Sequence, residues 1–293
     1  MNRYEQQLAS YATQVNDALR ERLHFDRELR QIVVVDAMRH SLLDAGKRLR
    51  AAMVLEFGRL THASREGAMA LACAIEMIHA YSLIHDDLPC MDDDDFRRGK
   101  PSCHKAFGEA NALLAGDGLL TLAFETAADA PLSDVQRVEA VRTLAKAAGV
   151  CGMLGGQVID LGCEGKPVDL ETLNTLYALK TGALLRASAR LGCLAGNAGE
   201  ELLETADRYA RACGLAFQIT DDILDVAGDA EKLGKPTGSD EENHKTTYVT
   251  LLGLSGARER ARELIGEAGE CVAAIPGNEF LLWVAEMILG RDH

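Results

Sequence analysis

The sequence contains little proline, which favours long uninterrupted helices. There are six prolines in 293 residues, and each falls where the neighbouring residues already suggest a break. The stretches between them are rich in Ala, Leu, Glu and Arg, a composition typical of an all-α protein. Only residues 32–35 resemble a strand, and no second segment could pair with them. The sequence therefore excludes an extensive β-sheet.

Basic residues are also scarce relative to acidic ones. Lys and Arg total 31 against 45 Asp and Glu, which gives a formal charge of −14 and a pI near 5.0. Such a surface would repel a phosphate backbone, so we expect no nucleic-acid partner. An anionic substrate would have to be met by a local basic lining or by a metal ion.

Several other sequence signals are missing. The eight cysteines form no C-x-x-C pair and have no zinc-like spacing with histidine, so we expect reduced thiols and a cytoplasmic protein. Residues 1–20 are polar, and we expect no signal peptide. No stretch of eighteen apolar residues is free of charged or polar breaks, so we also expect no membrane span.

The distribution of helix-forming and breaking residues predicts twelve helices. No change in composition and no long flexible linker divides the chain, so a single all-α domain over residues 1–293 is the simplest organisation. The predicted helices cover residues 3–22, 28–44, 47–61, 65–88, 103–114, 116–129, 134–149, 169–194, 199–226, 243–253, 255–273 and 277–290.

Six aspartates crowd into ten residues, at positions 86, 87 and 92–95. Carboxylates this close raise each other's pKa values, so the cluster is either a solvated acidic loop or a site neutralised by cations. The apolar segment 71–84 places it at the end of a buried helix, which favours the cation site. Pro89 should end or bulge that helix, and the extra residues would then return Asp92 to the side of Asp86.

A second aspartate cluster lies on an apolar helical segment further along the chain. Asp221 and Asp225 are four residues apart and therefore share a helix face, with Asp222 beside them. Two carboxylate patches that face each other would suit Mg²⁺, which binds a few carboxylates together with substrate phosphates. The pattern predicts a diphosphate ligand.

A long irregular segment follows the second cluster, over residues 228–245. It could be a solvated linker or a functional lid. Its lysines lie just after Asp225. This position favours a lid that closes on an anionic ligand.

These motifs together resemble the trans-prenyl diphosphate synthases. The resemblance covers about residues 35–254 and rests on five motifs in the family's order. They are Gly46-Lys47-Arg48-Leu49-Arg50, Asp86-Asp87-x4-Asp92 with the following residues to Pro101, Gly155-Gly156-Gln157-x-x-Asp160, Lys180-Thr181-Gly182, and Gln218-x-x-Asp221-Asp222-x-x-Asp225. It implies a helical bundle of the isoprenoid synthase type around a central cavity. It also implies a Mg²⁺-dependent prenyltransferase that joins isopentenyl diphosphate head to tail to an allylic diphosphate.

The resemblance also implies roles for individual residues at the allylic diphosphate. Asp86, Asp92 and Asp221 would hold the Mg²⁺ ions, three per site with Mn²⁺ as an alternative, and Asp87, Asp222 and Asp225 would support them. The groups that would touch the diphosphate or hydrogen-bond near the ionising carbon are Arg97, Lys180, Thr181, Gln218, Lys235 and Lys245.

Isopentenyl diphosphate would need a separate cationic pocket, for which the family's positions match Lys47, Arg50, His79 and Arg98. Each has a simpler alternative. Lys47 and Arg50 could be surface charges, and His79 could be a hydrogen-bonded core histidine. Arg97 and Arg98 could only neutralise the neighbouring aspartates.

Product length is predicted from the residues that precede Asp86. Tyr81 and Ser82 lie about one helical turn below the metal-bound end of the substrate, so the Tyr81 ring should stop the growing chain early. We therefore expect farnesyl diphosphate, made from dimethylallyl or geranyl diphosphate.

Other functions remain as alternatives. They are a geranylgeranyl diphosphate synthase of the same family, a terpene cyclase, a non-catalytic prenyl-synthase-like binding partner and an acidic calcium-binding module. The family resemblance further implies a homodimer, with residues 103–129 as a candidate interface.

Overall fold

A computed structural model describes residues 2–43, 46–227 and 245–291. The chain divides into two compact units. The first contains residues 1–144 and 194–197, and the second contains residues 145–193 and 198–293. Each unit is described below by itself.

The first unit is built from helices and one short hairpin. The hairpin strands, β1 (Phe96–Arg97) and β2 (Lys100–Pro101), are antiparallel. The helices are α1 (Arg3–Arg22), α2 (Ile32–Leu42), α3 (Leu49–Leu60), α4 (Arg65–Asp86), α5 (Cys103–Phe107), α6 (Glu109–Ala128) and α7 (Asp134–Ala148), the last of which crosses into the second unit.

Helix α4 forms the core of the first unit. It starts where the Ser64 side chain accepts a hydrogen bond from the Gly67 backbone, and it packs against α3 and α6. Most of its residues are fully buried because it is apolar on nearly all faces. On α6, a Cβ added to Gly116 would lie 2.0 Å from the His85 ring, so the glycine lets the end of α4 pack closely. The packing fixes the position of the first aspartate cluster.

Two stretches have the length and hydropathy of a membrane span. One is α4, with a mean hydropathy of 1.5, and 78% of that window is buried inside the structure. The other is Asp134–Cys163, with a mean hydropathy of 1.2 and 33% buried. The sequence-based screen for uninterrupted apolar runs did not identify either stretch. Core helices of soluble proteins pass the same test, so these stretches are weak evidence for a span.

The second unit is also helical in its described part. After the end of α7 it contains α8 (Met153–Cys163), α9 (Leu170–Tyr177), a π-helical turn (Ala178–Gly182), α10 (Ala183–Ala195), α11 (Glu200–Ala227), α12 (Tyr248–Val272) and α13 (Glu279–Leu289). Helix α11 packs against α12, α13 and the π-turn. Asp169 caps α9, since its side chain accepts a hydrogen bond from the Thr172 backbone N–H.

Two glycines allow other helices to approach the π-turn. A Cβ added to Gly156 of α8 would lie 2.3 Å from the Lys180 backbone nitrogen, and one added to Gly214 of α11 would lie 3.1 Å from the Gly182 Cα. Turns of π-helix inside α-helices are frequent at functional sites. Lys180 and Thr181 lie within this one.

The all-α prediction is confirmed, and several helix boundaries are wrong. Helix α8 was not predicted because three glycines lower its intrinsic helix propensity. The break expected near residue 115 lies at Gly108, whose φ is 82°, and the helix expected over 169–194 is interrupted by the π-turn. Residues 32–35 form the start of α2, within the helix predicted over residues 28–44. The single-domain organisation remains a prediction.

Candidate active site

The first aspartate cluster lies at the carboxyl end of α4. The helix ends at Asp86, and the chain then folds back so that the Asp92 N–H donates to the Asp86 carbonyl over 2.8 Å. The predicted return of Asp92 to Asp86 is confirmed. Asp92 is exposed and Asp86 is partly buried. Two carboxylates are thus carried on adjacent backbone.

Asp87 has a different environment from its neighbours. It is 2% exposed, and its Oδ1 accepts hydrogen bonds from two Arg97 nitrogens, the Nε over 2.9 Å and Nη2. Arg97 also pairs with Asp94 over 3.1 Å. Burial raises the pKa of Asp87, and the bond from Arg97 opposes that rise. Arg97 was expected to contact the allylic diphosphate, but in this structure it neutralises neighbouring aspartates.

The predicted basic pocket brings several of its members together. Loss of contact with water lowers the pKa of His79 well below its usual range, and the nearby charges of Arg50 and Arg98 lower it further. A Cβ on Gly46 would lie 3.3 Å from the Arg98 guanidinium. His79, Arg50 and Arg98 are therefore neighbours, and Lys47 is exposed beside the same turn.

Arg48, which the sequence analysis did not select, has a structural role in this pocket. Its Nη1 lies 3.0 Å from Glu76 Oε2, and both side chains are at most 3% exposed. Glu76 also accepts a hydrogen bond from the Ala51 backbone over 3.0 Å. This buried ion pair fixes the start of α3, on which Arg50 lies. No pattern in the sequence distinguishes Arg48 from its basic neighbours.

Tyr81 and Ser82 lie on the last turns of α4. Tyr81 is 9% exposed, and its ring packs edge-on against His85 with centroids 5.8 Å apart. Burial, with a contribution from the charge of Asp86, raises the pKa of Tyr81 to about 12. The Ser82 hydroxyl donates to the His79 carbonyl over 2.9 Å. Tyr81 is thus a fixed, neutral aromatic ring.

In the second unit, α11 carries the other aspartate cluster. Asp221 is 32% exposed and its Oδ1 lies 2.8 Å from Arg291 Nη1. The Arg291 guanidinium also lies 4.1 Å from the centroid of the Phe217 ring. This ion pair was not predicted, because residue 291 is seventy residues away and carries no motif.

Both carboxylate oxygens of Asp222 accept hydrogen bonds from residues of the second unit. The Tyr177 hydroxyl lies 2.8 Å from both carboxylate oxygens, and the Tyr248 N–H donates to Oδ2 over 2.8 Å. Asp222 is 5% exposed. Its geometry fits the supporting role expected from the sequence. It links α9 and α12 to α11.

Lys180 is positioned by a carboxylate from α8. Its Nζ lies 2.5 Å from Asp160 Oδ2, with side chains 27% and 18% exposed. The adjacent Thr181 hydroxyl donates to Gln218 Oε1 over 2.7 Å. The Asp160 carboxylate thus neutralises and orients the ammonium group of Lys180.

These groups share one cavity within the second unit. It has a volume of about 200 Å³ and is lined by polar side chains from four segments, among them Asp160, Lys180, Gln218, Asp221, Asp225 and Lys245. Carboxylates, two lysines and an amide in one cavity can bind a phosphate and its counter-cations. Lys235 lies outside the described residues, as does most of the predicted lid.

The donor set fits hard divalent cations. Mg²⁺ prefers carboxylate oxygens, which Asp86, Asp92 and Asp221 offer on partly or fully exposed side chains. Asp87 and Asp222 are less accessible to an ion, since they are only 2% and 5% exposed.

Comparison with known proteins places the chain among prenyltransferases. The family model described as polyprenyl synthetase matches residues 32–277. The farnesyl diphosphate synthase of Escherichia coli is 50% identical over 269 residues, which cover 90% of each chain. A chloroplastic geranylgeranyl pyrophosphate synthase of Capsicum annuum is 47% identical, covering 89% of this chain and 72% of that protein.

A solved structure gives the same result. The geranyltransferase of Helicobacter pylori, in complex with magnesium and isoprenyl diphosphate, is 31% identical. Its TM-score is 0.83, over 99% of this chain and 97% of that one. The isoprenoid synthase fold predicted from the motifs and the transferase class are confirmed. The family is Mg²⁺-dependent. The chain belongs to the polyprenyl synthetase family.

Proposed function

We propose that this chain is a Mg²⁺-dependent farnesyl diphosphate synthase that condenses isopentenyl diphosphate with dimethylallyl or geranyl diphosphate. The observation that carries the proposal is the polar cavity of the second unit, where Lys180, Gln218, Asp221 and Asp225 converge. The 50% identity to a farnesyl diphosphate synthase supports the same reaction. The magnesium and isoprenyl diphosphate bound by the H. pylori relative support the ligand class.

We propose that Asp86, Asp92 and Asp221 hold the metal, as three Mg²⁺ ions with Mn²⁺ able to replace them. When bound, the ions would withdraw charge from the allylic diphosphate and make it a better leaving group.

The neighbouring aspartates support these ligands in the proposal. Asp87 and Asp222 hold the adjacent backbone in place through their hydrogen bonds with Arg97 and Tyr177, respectively. Asp225, which is 4% exposed, supports the same helix face as Asp221.

Lys180 binds the leaving diphosphate in this proposal. Asp160 fixes its ammonium group, so the charge is already oriented when the substrate arrives. Thr181 and Gln218 hold each other over 2.7 Å and offer hydrogen-bonding groups near the ionising carbon. Lys245 lines the same cavity, and Lys235 is proposed from its sequence position.

Isopentenyl diphosphate binds without metal in this proposal, at Lys47, Arg50, His79 and Arg98. His79 has a strongly lowered pKa, so it stays neutral at pH 7 and acts as a hydrogen-bonding group. The arginines supply the charge. The sequence analysis also assigned Arg97 to the allylic diphosphate. To bind it, the Arg97 guanidinium would have to release its ion pair with Asp87 or Asp94.

Tyr81 limits product length in this proposal, with Ser82 beside it. The ring is held by packing against His85, so it forms a rigid end to the space below Asp86. The geranylgeranyl product is the second candidate, because a synthase of that product is 47% identical over most of this chain.

We further propose that the protein is a cytoplasmic homodimer. Leu113 and Leu114 of α6 are 47% and 52% exposed, which leaves an apolar surface on the helix expected to form the interface. The buried position of α4 supports a core helix over a membrane span. One domain over residues 1–293 is part of the same proposal, since the family match runs through both units.

The experiment is a product assay with the purified full chain. Labelled isopentenyl diphosphate is incubated with dimethylallyl or geranyl diphosphate, with and without Mg²⁺, and the products are separated by chain length. We expect a fifteen-carbon product from both starters only when Mg²⁺ is present. A twenty-carbon main product would favour the second candidate, and no product from any starter would refute the proposal.

A further inference from the structure

A second group of potential metal ligands lies beside the first aspartate cluster. Ligand atoms of Asp93, Asp95 and His104 all lie within 4.8 Å of one another. His104 is on α5, whereas the two aspartates precede β1. None of the three is among the residues assigned above to Mg²⁺ or to either diphosphate.

His104 directs an unsatisfied nitrogen at the two carboxylates. The residue is 6% exposed, yet its Nε2 makes no hydrogen bond within the described part of the chain. The nearest carboxylate oxygen, Asp93 Oδ1, is 3.9 Å away, which is too far for a hydrogen bond. A buried polar atom without a partner costs free energy, so a ligand at this position would remove that cost.

The other ring nitrogen of His104 is already oriented. Nδ1 lies 3.1 Å from the Ser102 hydroxyl, which is itself buried. Histidines that bind metals usually have such a hydrogen bond on the second nitrogen, which fixes the ring and the tautomer. When Nδ1–H donates to Ser102, Nε2 presents its lone pair to Asp93 and Asp95.

The distances suit a single small ion. With metal–ligand bonds of about 2.0–2.2 Å, two ligands of one ion lie roughly 3–4.4 Å apart, and the 3.9 Å between His104 and Asp93 falls in that range. Lys105 pairs with Asp95 Oδ1 over 2.7 Å, and its side chain is 42% exposed. An ion would therefore use the other oxygen of Asp95 or displace this exposed lysine.

We propose that Asp93, Asp95 and His104 form a further cation site, which takes a divalent transition-metal ion such as Mn²⁺ or Zn²⁺. Imidazole nitrogen suits Zn²⁺ and carboxylate oxygen suits Mn²⁺, so the mixed set can hold either ion, whereas Mg²⁺ prefers oxygen ligands alone. The ion ties the loop that follows Asp92 to α5. It thereby steadies the hairpin that carries Arg97 and Arg98.

The test detects nitrogen bound to Mn²⁺ in the full-length protein. Protein freed of metal with a chelator is titrated with Mn²⁺, and electron spin-echo modulation from ¹⁴N is recorded. The ligands proposed for the diphosphate's ions are all carboxylates, so a nitrogen signal would come from His104. We compare wild type, His104→Gln, Asp93→Asn and a control, His24→Gln, which changes an exposed histidine on another segment.

We expect a nitrogen signal in the wild type and in His24→Gln, and none in His104→Gln. No signal in the wild type, or an undiminished signal in His104→Gln, would overturn the proposal. Because His104 is buried and its substitution could impair folding, the exposed Asp93 gives a second test. Asp93→Asn should weaken the nitrogen-coupled Mn²⁺ at least about tenfold, and unchanged affinity would also overturn it.

A competition experiment checks the class of ion. Zn²⁺ should displace the nitrogen-coupled Mn²⁺ from the wild type, whereas the same concentration of Mg²⁺ should not. Equal displacement by Mg²⁺ and Zn²⁺ would refute a transition-metal site. The measurement does not depend on prenyltransferase activity, so its failure is distinguishable from failure of the proposed function.

Discussion

Arg291 forms an ion pair with Asp221, with Nη1 and Oδ1 2.8 Å apart. Its guanidinium also stacks on Phe217. A residue from the end of the chain therefore neutralises a carboxylate proposed to bind Mg²⁺. A cation that binds Asp221 at Oδ1 competes with this guanidinium.

The first prediction follows from that competition. Replacing Arg291→Met should lower the Mg²⁺ concentration needed for half-maximal activity by roughly two- to fivefold, the equivalent of a partly exposed ion pair of about 0.4–1 kcal/mol. A Mg²⁺ titration of the initial rate measures this. The control is Arg258→Met, which changes an exposed arginine on α12. An unchanged Mg²⁺ requirement in Arg291→Met would mean that the pair does not compete with metal.

The second prediction concerns the approach of α8 to the π-turn. Replacing Gly156→Ala places a Cβ 2.3 Å from the backbone of Lys180, which cannot move as a side chain could. We expect a loss of about 1–3 kcal/mol in the free energy of unfolding, measured by urea denaturation, and a lower kcat/KM because Lys180 shifts.

Gly162 provides a matched control on the same helix. A Cβ there meets nothing within 4 Å, so Gly162→Ala should be neutral or stabilising by up to about 1 kcal/mol through helix propensity. Equal effects of the two substitutions would contradict the close-packing account.

The third prediction addresses product length. Replacing Tyr81→Ala removes the buried ring below Asp86 and should give products longer than fifteen carbons. Tyr81→Phe keeps the ring and should retain the wild-type product. Chromatography of the labelled products distinguishes them. If Tyr81→Ala still gives only the wild-type length, another residue limits the chain.

The fourth prediction is a pH dependence of stability from His79. Its pKa in the folded protein is well below the usual value because of burial and the nearby arginines, whereas in the unfolded chain it is about 6.5. The unfolded state therefore binds the extra proton first, and stability falls as the pH drops below about 6.5. A histidine whose charged form is stabilised by a carboxylate has the opposite effect, because it makes the folded protein more stable as the pH falls.

Urea unfolding at pH 7.0 and 5.5 measures this effect. Between these values wild type should lose about 1 kcal/mol more than His79→Gln, which cannot titrate. His24→Gln should behave like wild type, because His24 is exposed. Equal losses in wild type and His79→Gln would show that His79 takes up its proton in the folded state.

Local patterns in the sequence predicted much of the fold. Helix α1 has the predicted bounds, and the first cluster folds back at Pro89 as expected, because both depend on neighbouring residues. Helix α8 was missed because its three glycines lower its helix propensity, although one of them, Gly156, is needed for the close approach to Lys180. The hairpin was also missed, because its two-residue turn has Arg98 and Gly99 at φ of 55° and 74°, and arginine is not one of the residues that usually occupy the first of these positions.

The site shows the same division. Motif spacing selected Lys180, Gln218 and the second aspartate cluster, which share one cavity in the second unit. Asp160, the partner of Lys180, belongs to one of the five motifs, but the motifs did not include the partners Tyr177 of Asp222 and Arg291 of Asp221. These partners come from distant segments, and the sequence pattern near each carries no signal of the pairing.

The central claim is that both aspartate clusters serve Mg²⁺-dependent loss of diphosphate from one allylic substrate. The most direct measurement is the single-turnover rate with geranyl diphosphate and labelled isopentenyl diphosphate for wild type, Asp86→Asn and Asp221→Asn, with Asp129→Asn as an exposed control. We predict a fifteen-carbon product only with Mg²⁺, and a rate at least about a hundredfold lower in each of the first two variants, equivalent to about 2.7 kcal/mol of barrier. A wild-type rate in either variant, or full activity without a divalent cation, would contradict the account.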